Sequence, residues 1–129
     1  MTGARERARQ RRERTAEAER GYETFLDNVA TPVTKHVVTA LRAEAHSFTL
    51  FTPAGGLRLA DDRGRDDYVE LFLDSASDPP QVVGRVRYTR GSRTITEERP
   101  IKSGAAPDAL SEEDVLAFLL EALAPLLER

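Results

Sequence analysis

The clearest pattern in the chain is an alternation of apolar and polar residues in segments 81–89 and 93–99. In the first segment, β-branched and aromatic residues alternate with arginine, as in a strand with one buried and one solvent-facing side. A Gly-Ser pair at 91–92 suits a tight turn that needs a positive φ at its first central position. The two segments are therefore predicted to form a β-hairpin that places Arg85 opposite Glu98.

Three earlier segments, 46–51, 57–59 and 68–73, show the same strand-like pattern. The stretches between them are rich in glycine, proline and aspartate, which are the residues that turns require. Short connections between successive strands favour antiparallel neighbours. The five segments are predicted to form an antiparallel meander in chain order.

Helical periodicity precedes the strands. Apolar residues recur at three- and four-residue steps from Tyr22 to Leu41, which places them on one face of a helix. The pair Thr31-Pro32 interrupts this stretch, but the apolar stripe keeps its phase across the proline. We predict one helix that is kinked near Pro32 and runs to about Ala45, with two helices in one line as the alternative.

A second helix is predicted after the strands. Ser111 is suited to be its N-cap, three acidic residues fill the first turn, and Leu110 can pack onto Val115. Pro125 is expected to kink or fray the last turn. The apolar face of this helix consists of Val115, Leu116, Leu119, Leu120, Leu123, Leu126 and Leu127, widened by Phe118.

These elements predict an α+β two-layer fold: an N-terminal helix kinked near Pro32, a five-stranded antiparallel meander and a C-terminal helix packed on the same sheet face. The length of 129 residues suits one domain, which we assign to residues 21–129. Residues 1–20 have no large apolar side chain after Met1, so they are predicted to form a charged extension, helical or disordered.

The composition excludes several classes of site and protein. The chain has no cysteine, so disulfides, thiolate metal sites and a cysteine nucleophile are excluded. No apolar run approaches the roughly 20 residues that cross a bilayer, and no secretory signal is recognised. We therefore predict a cytoplasmic protein that contacts no membrane, and no cofactor is predicted.

Charge is distributed unevenly along the chain. Residues 1–20 carry seven arginines and four glutamates, and residues 81–102 carry five arginines, one lysine and two glutamates. From residue 103 onward, six acidic residues stand against one arginine. Such separation predicts a dipolar surface, which favours self-association or a partner that recognises one side.

The arginines of the hairpin are the candidate basic interaction face. They are suited to bind phosphates or an acidic protein, although the outer face of a half-buried sheet usually carries such residues in any case. The N-terminal arginines offer a second set of contacts to nucleic acid, although four glutamates interrupt them. The candidates are Arg85, Arg87, Arg90, Arg93 and Arg99 on the hairpin and Arg5, Arg9 and Arg12 in the extension.

The sequence contains no recognisable catalytic or metal-binding motif. His36 and His46 are ten residues apart, which does not match the spacing that brings two imidazoles to one metal. The acidic stretch 61–67 lacks the alternating ligands of a calcium loop and is predicted to be a solvated tip. A glycine pair at 55–56 is not followed by the Lys-Ser/Thr and helix of a phosphate-binding loop.

The function favoured by these patterns is a non-enzymatic protein-interaction or adaptor domain. The two apolar helical faces exceed what a small sheet can cover, which predicts self-association as a homodimer. The first alternative is a nucleic-acid-associated protein that uses the N-terminal arginines and the hairpin face. The second is a small ligand-binding or enzyme domain with a pocket between the sheet and the helices.

Overall fold

The computed structural model describes residues 2–63 and 66–128, which form a five-stranded sheet with helices packed on one face. This confirms the predicted α+β architecture. Four residues lie outside the described ranges: Met1 of the predicted extension, Gly64 and Arg65 of the predicted acidic tip, and Arg129 of the predicted domain. The helices are α1 (Thr2–Phe25), α2 (Thr31–Ala43) and α3 (Glu112–Leu127), and the strands are β1 (Phe48–Phe51), β2 (Gly56–Asp61), β3 (Tyr68–Asp74), β4 (Gln81–Arg90) and β5 (Arg93–Pro100).

The interruption that Pro32 predicts is a π-helical turn, Leu26–Ala30, between α1 and α2. In this wider turn, the backbone N–H of Thr31 donates to the carbonyl of Leu26, five residues earlier. Proline has no N–H to donate, and its ring collides with the carbonyl four residues before it in a regular α-helix. The wider turn relieves both problems, so helical dihedral angles continue through Ala30 and Thr31 into α2.

The sheet is an antiparallel meander in the order β1-β2-β3-β4-β5, as predicted. The predicted hairpin register is also confirmed, with Arg85 opposite Glu98 and Arg87 opposite Thr96. No residue of β5 is buried, whereas in β1 to β4 alternate residues face the helices and most of them are buried. They pack with α2 over β1 and with α3 over β3 and β4, and the core includes Leu57, Leu59, Val69, Leu71, Val82, Val86 and Tyr88.

The start of α3 is the capping box that the sequence predicts around Ser111. The Ser111 hydroxyl accepts a hydrogen bond from the backbone N–H of Asp114, and the Asp114 carboxylate accepts one from the backbone N–H of Ser111. The second bond is the main cause of the lowered pKa of Asp114. The helix continues past Pro125 to Leu127 and so does not fray at the proline, while a kink there stays a prediction.

The acidic tip between β2 and β3 is not simply solvated, which corrects the sequence-based expectation. Asp61 and Asp67 are both buried. The guanidinium of Arg63 binds the Asp61 carboxylate, with 2.7 Å between Nη2 and Oδ2, and also donates to the carbonyl of Leu126 at 3.0 Å. The tip therefore ties the end of β2 to the last turn of α3, where carbonyl groups lack helical partners.

The first turns of α1 extend away from the core. Every described side chain from residue 3 to residue 14 is exposed, and ion pairs of Arg9 with Glu6 and Glu13 lie along the helix. The helix joins the core through its last turns, where Tyr22 and Phe25 are buried. Within the described ranges, no helix combines the length and the apolar content that a membrane crossing requires.

Candidate docking groove

An open, largely apolar cleft of about 580 Å³, the α2–α3 groove, lies between those two helices. Its walls face solvent on the side away from the sheet. The α2 wall follows from the i, i+4 repeat of Val33 and Val37, which also reach the core. The groove is lined by Val33, His36, Val37, Ala40, Leu41 and Glu44 from α2 and its C-cap, and by Glu112, Glu113, Leu116, Leu120, Leu123 and Leu127 from α3.

The α3 wall exists because the apolar stripe of this helix is wider than the sheet can cover. Phe118, Leu119 and Leu126 point into the core and are buried. Leu116 and Leu120 lie one turn apart on the neighbouring strip of the helix and are 41% and 60% exposed. These two leucines form the exposed apolar ridge of the groove.

The two helices of the groove run in the same direction. Just before α3, Asp108 lies beside Gly21 of α1. At the other end of α3, the carbonyl of Leu126 accepts a hydrogen bond from Arg63. Asp62, the residue before Arg63, donates its backbone N–H to the carbonyl of Ser47, which lies just after α2. The first turn of α3 is therefore at the α1 end of the groove, and the last turns of α2 and α3 lie together at the opposite end.

The charges at the rim of the groove are negative. Glu112 and Glu113 are exposed in the first turn of α3, and Glu44 is exposed at the C-cap of α2. Among the described residues, none of these three carboxylates forms an ion pair. His36 is the remaining titratable group of the lining. The groove thus combines an apolar floor with acidic ends.

The outer face of the sheet, away from the helices, carries a ladder of paired charges. Glu70 of β3 accepts hydrogen bonds from Arg58 at 2.8 Å and from Arg85 at 3.0 Å. Arg85 also donates to Glu98 at 2.9 Å. The bond to Glu98 is the main cause of the raised pKa of Arg85. Arg58 and Arg85 are consequently paired with carboxylates of the same molecule.

Aromatic rings stack beneath the same ladder. The guanidinium carbon of Arg58 lies 4.3 Å from the ring centre of Tyr68, and that of Arg85 lies 4.7 Å from the ring centre of Phe72. Such contacts stabilise a cation on an aromatic face by about 0.5–1 kcal/mol at exposed sites. The ladder fixes both rings and both guanidinium groups within the sheet.

The predicted hairpin arginines are divided between the two sides of the sheet. Arg85 and Arg87 lie on the outer face, where Arg87 donates to the carbonyl of Asp66 at 2.5 Å. Arg90 and Arg93 occupy opposite positions on β4 and β5 beside the turn. Arg99 lies on the helix side, because its cross-strand partner Gly84 faces α3. A binding role for these five arginines stays a prediction.

Arg99 is used to hold α3. Its guanidinium donates to Glu121 at 2.8 Å and lies 5.3 Å from the ring centre of Phe118. The sequence pattern did not separate this arginine from Arg85 and Arg87. The hairpin register could have separated them. Glu98 lies opposite Arg85 on the outer face, and Arg99, the next residue of the strand, must point to the other face.

The N-terminal arginines lie on the exposed part of α1. Arg9 binds Glu6 and Glu13, as the i, i+3 and i, i+4 spacings favour. Within residues 2–63 and 66–128, Arg5 and Arg12 form no ion pair. These two side chains are therefore available to a polyanion, while Arg9 is engaged within the helix.

No chemistry is built around the two histidines in the described part of the chain. His36 lies on the rim of the groove, and His46 follows α2 at the start of the connection to β1. Within the described ranges, no group of three or more histidine, aspartate or glutamate side chains is arranged to hold a metal ion.

The layer between the sheet and the helices is occupied by core side chains. The Tyr22 hydroxyl reaches across it and donates to the carbonyl of Gly55 at 3.0 Å, and burial raises the pKa of this phenol above its ordinary value. The ring of Phe118 fills the space over Gly84. The apolar α2–α3 groove lies between the two helices and not between the helices and the sheet.

Comparison with known proteins adds no assignment to this geometry. No protein-family model, curated protein or solved structure matches this chain.

Proposed function

We propose that this chain is a non-enzymatic protein-interaction domain whose docking surface is the α2–α3 groove. The observation that supports this proposal most strongly is the exposure of Leu116 and Leu120 beside the apolar wall of α2. A contiguous apolar patch with a polar rim is typical of interaction sites. A groove between two helices is suited to an amphipathic helix of a partner.

Burial of the exposed apolar surface of the groove contributes favourably to the free energy of binding. Full burial of a leucine side chain stabilises by roughly 1.5–3 kcal/mol, so covering these two half-exposed side chains contributes about 1–2 kcal/mol each. Apolar side chains at the centre of an interface carry most of its binding energy, while the charged rim contributes orientation and specificity. Leu116 and Leu120 are therefore the proposed anchors of the site.

A protein partner is favoured over nucleic acid because Arg85, on the outer face of the sheet, is already paired. It lies between Glu70 and Glu98, so a phosphate would have to displace a carboxylate. The nucleic-acid alternative depends on the arginines that form no ion pair with another described residue, which include Arg87, Arg90 and Arg93 of the hairpin and Arg5 and Arg12 of α1. A mobility assay at low and high salt separates the two proposals, because backbone contacts weaken as salt rises. We expect no shift of duplex DNA or RNA at low salt.

Self-association is a second proposed activity, supported by the free edge of β1. This strand has a sheet neighbour on one side within the described chain, and none of its four residues is charged. Phe51, on the outer face of this edge, is 51% exposed. The other edge strand, β5, carries Arg93, Glu97, Glu98 and Arg99, and charges of this kind discourage edge-to-edge pairing. Two copies joined through β1 would form one continuous sheet.

A cytoplasmic location is part of this proposal, because a domain without cysteine has no need of an oxidising compartment.

Site-specific cross-linking in the cells that make the protein tests the docking surface. A photoreactive residue at position 120 is expected to give a discrete adduct with another protein, and the same residue in place of Thr94, exposed on β5, is expected to give none. The adduct is then reconstituted from purified proteins, and the double substitution Leu116→Asp/Leu120→Asp is expected to weaken binding at least about 100-fold. Absence of an adduct at 120, or equal adducts at both positions, contradicts the proposal.

A further inference from the structure

We propose that the occupant of the α2–α3 groove is a cationic amphipathic helix from another protein, a proposal that rests on the docking function above. The groove offers an apolar floor and three carboxylates that form no ion pair with another described residue. Glu112 and Glu113 lie at one end, and Glu44 lies at the other. Among residues 2–63 and 66–128, no lysine or arginine belongs to the lining. A ligand with positive charge at both ends is complementary to this distribution.

Helix stability explains part of this charge pattern but not all of it. Acidic residues in the first turn of a helix interact favourably with the helix dipole, which accounts for Glu112 and Glu113. Glu44 is at the C-terminal end of α2, where the same dipole disfavours an anion. Its carboxylate therefore costs the isolated domain some stability and is better explained by a cation that arrives with the partner.

The length of the groove sets the length of the ligand. Its α2 wall extends from Val33 to Glu44, which at 1.5 Å per residue is about 16 Å, or three helical turns. The α3 wall is longer and extends from Glu112 to Leu127, which at the same rise is about 22 Å, or four helical turns. A matching helix presents apolar side chains at positions i, i+4 and i+7, with lysine or arginine beyond each end.

The same features disfavour a second copy of this chain as the occupant. Two grooves packed face to face would bring together both sets of Glu44, Glu112 and Glu113, which repel one another in a low-dielectric contact. The basic helix α1 has suitable charge, but the largest apolar side chains between residues 3 and 20 are alanines. Alanine methyl groups leave the floor of the groove largely unfilled.

Two labelled synthetic helices provide the probe for this proposal. Both contain leucine at i, i+4, i+7 and i+11 on an alanine-rich background; one has lysine at both ends, and the other has glutamate. Fluorescence anisotropy with the full chain is expected to show that the lysine peptide binds at least about tenfold more tightly than the glutamate peptide. Several ion pairs at the rim of the groove together supply a free-energy difference of this size. The difference is expected to shrink at high salt, because exposed charges are screened.

Matched variants of the protein show whether the groove is responsible. Leu120→Asp is expected to abolish binding of both peptides. Glu44→Lys is expected to narrow the preference for the lysine peptide while it leaves the fold intact, since the dipole favours a cation at this position. Lys35→Glu, an exposed position of α2 outside the lining, is the control and is expected to leave the preference unchanged.

Each outcome decides between the proposals. Equal binding of both peptides, abolished by Leu120→Asp, overturns the charge inference and leaves the docking function in place. Failure of both peptides to bind overturns the docking function as well. A dimer in sedimentation that Leu120→Asp converts to monomer shows that a second copy occupies the groove, which also overturns the inference.

Discussion

The ring of Phe118 lies directly against the backbone of Gly84, where α3 packs on β4. A Cβ atom at position 84 would lie within 3.0 Å of three carbons of the ring. The ring has little room to retreat, because Phe118 is buried and Arg99 lies over it. Gly84 is in the middle of a strand, where glycine is otherwise unfavourable, so its role is to admit this ring.

We therefore predict that Gly84→Ala destabilises the fold. Overpacking of this kind costs about 1–3 kcal/mol, which outweighs the gain from replacing glycine in a strand. Urea unfolding of the wild type and the variant measures the difference. In a Phe118→Leu background the same substitution is expected to cost less, because the two residues are in contact. An unchanged urea midpoint for Gly84→Ala would show that the ring is free to move.

The end of α2 predicts a stabilising substitution. Ala45 has a φ of 65°, in the left-handed region that favours glycine. The backbone N–H groups of Ala45 and His46 donate to Arg42 and Leu41, which is the bonding pattern of a Schellman motif. Ala45→Gly is expected to raise the free energy of unfolding by about 0.5–1 kcal/mol. Ala43→Gly, within the helix, is the matched control and is expected to lower it; the reverse order would contradict this description of the helix end.

The outer-face ladder predicts unequal effects for its two glutamates. The Glu70 side chain is 10% exposed and binds both Arg58 and Arg85, whereas the Glu98 side chain is 46% exposed and binds Arg85 alone. Glu70→Ala is expected to cost about 1–3 kcal/mol, because Arg58 loses its carboxylate partner and Arg85 loses one of its two. Glu98→Ala is expected to cost less than about 1 kcal/mol. Chemical denaturation compares them, and equal costs would mean that the buried carboxylate does not organise the ladder.

The free edge of β1 predicts a dimer that one charge disrupts. Sedimentation velocity at tens of micromolar is expected to show the wild type as a dimer and Phe51→Lys as a monomer, because a lysine on an edge strand prevents pairing. Thr94→Lys on β5 serves as the control and is expected to remain dimeric. A wild type that sediments as a strict monomer, or a dimer that survives Phe51→Lys, would remove β1 from the account.

Local pattern was sufficient to predict most of the fold. The alternation in β4, the turn at 91–92 and the capping residue Ser111 each determine structure within a few neighbouring positions, so their consequences can be predicted without knowledge of the rest. The predicted pairing of Arg85 with Glu98 followed from the length of the turn alone. The π-helical turn before Pro32 was beyond such reasoning, because the sequence predicts an interruption but not the way in which the helix absorbs it.

The candidate site was less accessible to sequence reasoning, because exposure depends on tertiary packing. Leu116, Leu119 and Leu120 look equivalent in the stripe of α3, but the sheet covers Leu119 and leaves the other two in solvent. The acidity of the groove depends on the directions of two helices that are distant in sequence. The buried tip residue Asp61 was missed for the same reason, since the last turn of α3 is brought to it by the fold.

The central claim is that the α2–α3 groove is the surface that receives a partner helix. Chemical-shift mapping of the isotope-labelled full chain, titrated with the lysine-ended peptide, tests it most directly. The largest shifts are expected on Val33, Val37, Ala40, Leu116 and Leu120, with Arg58 and Arg85 on the outer face of the sheet unaffected. Shifts that concentrate on the outer face or on α1, or that fail to appear, would contradict it.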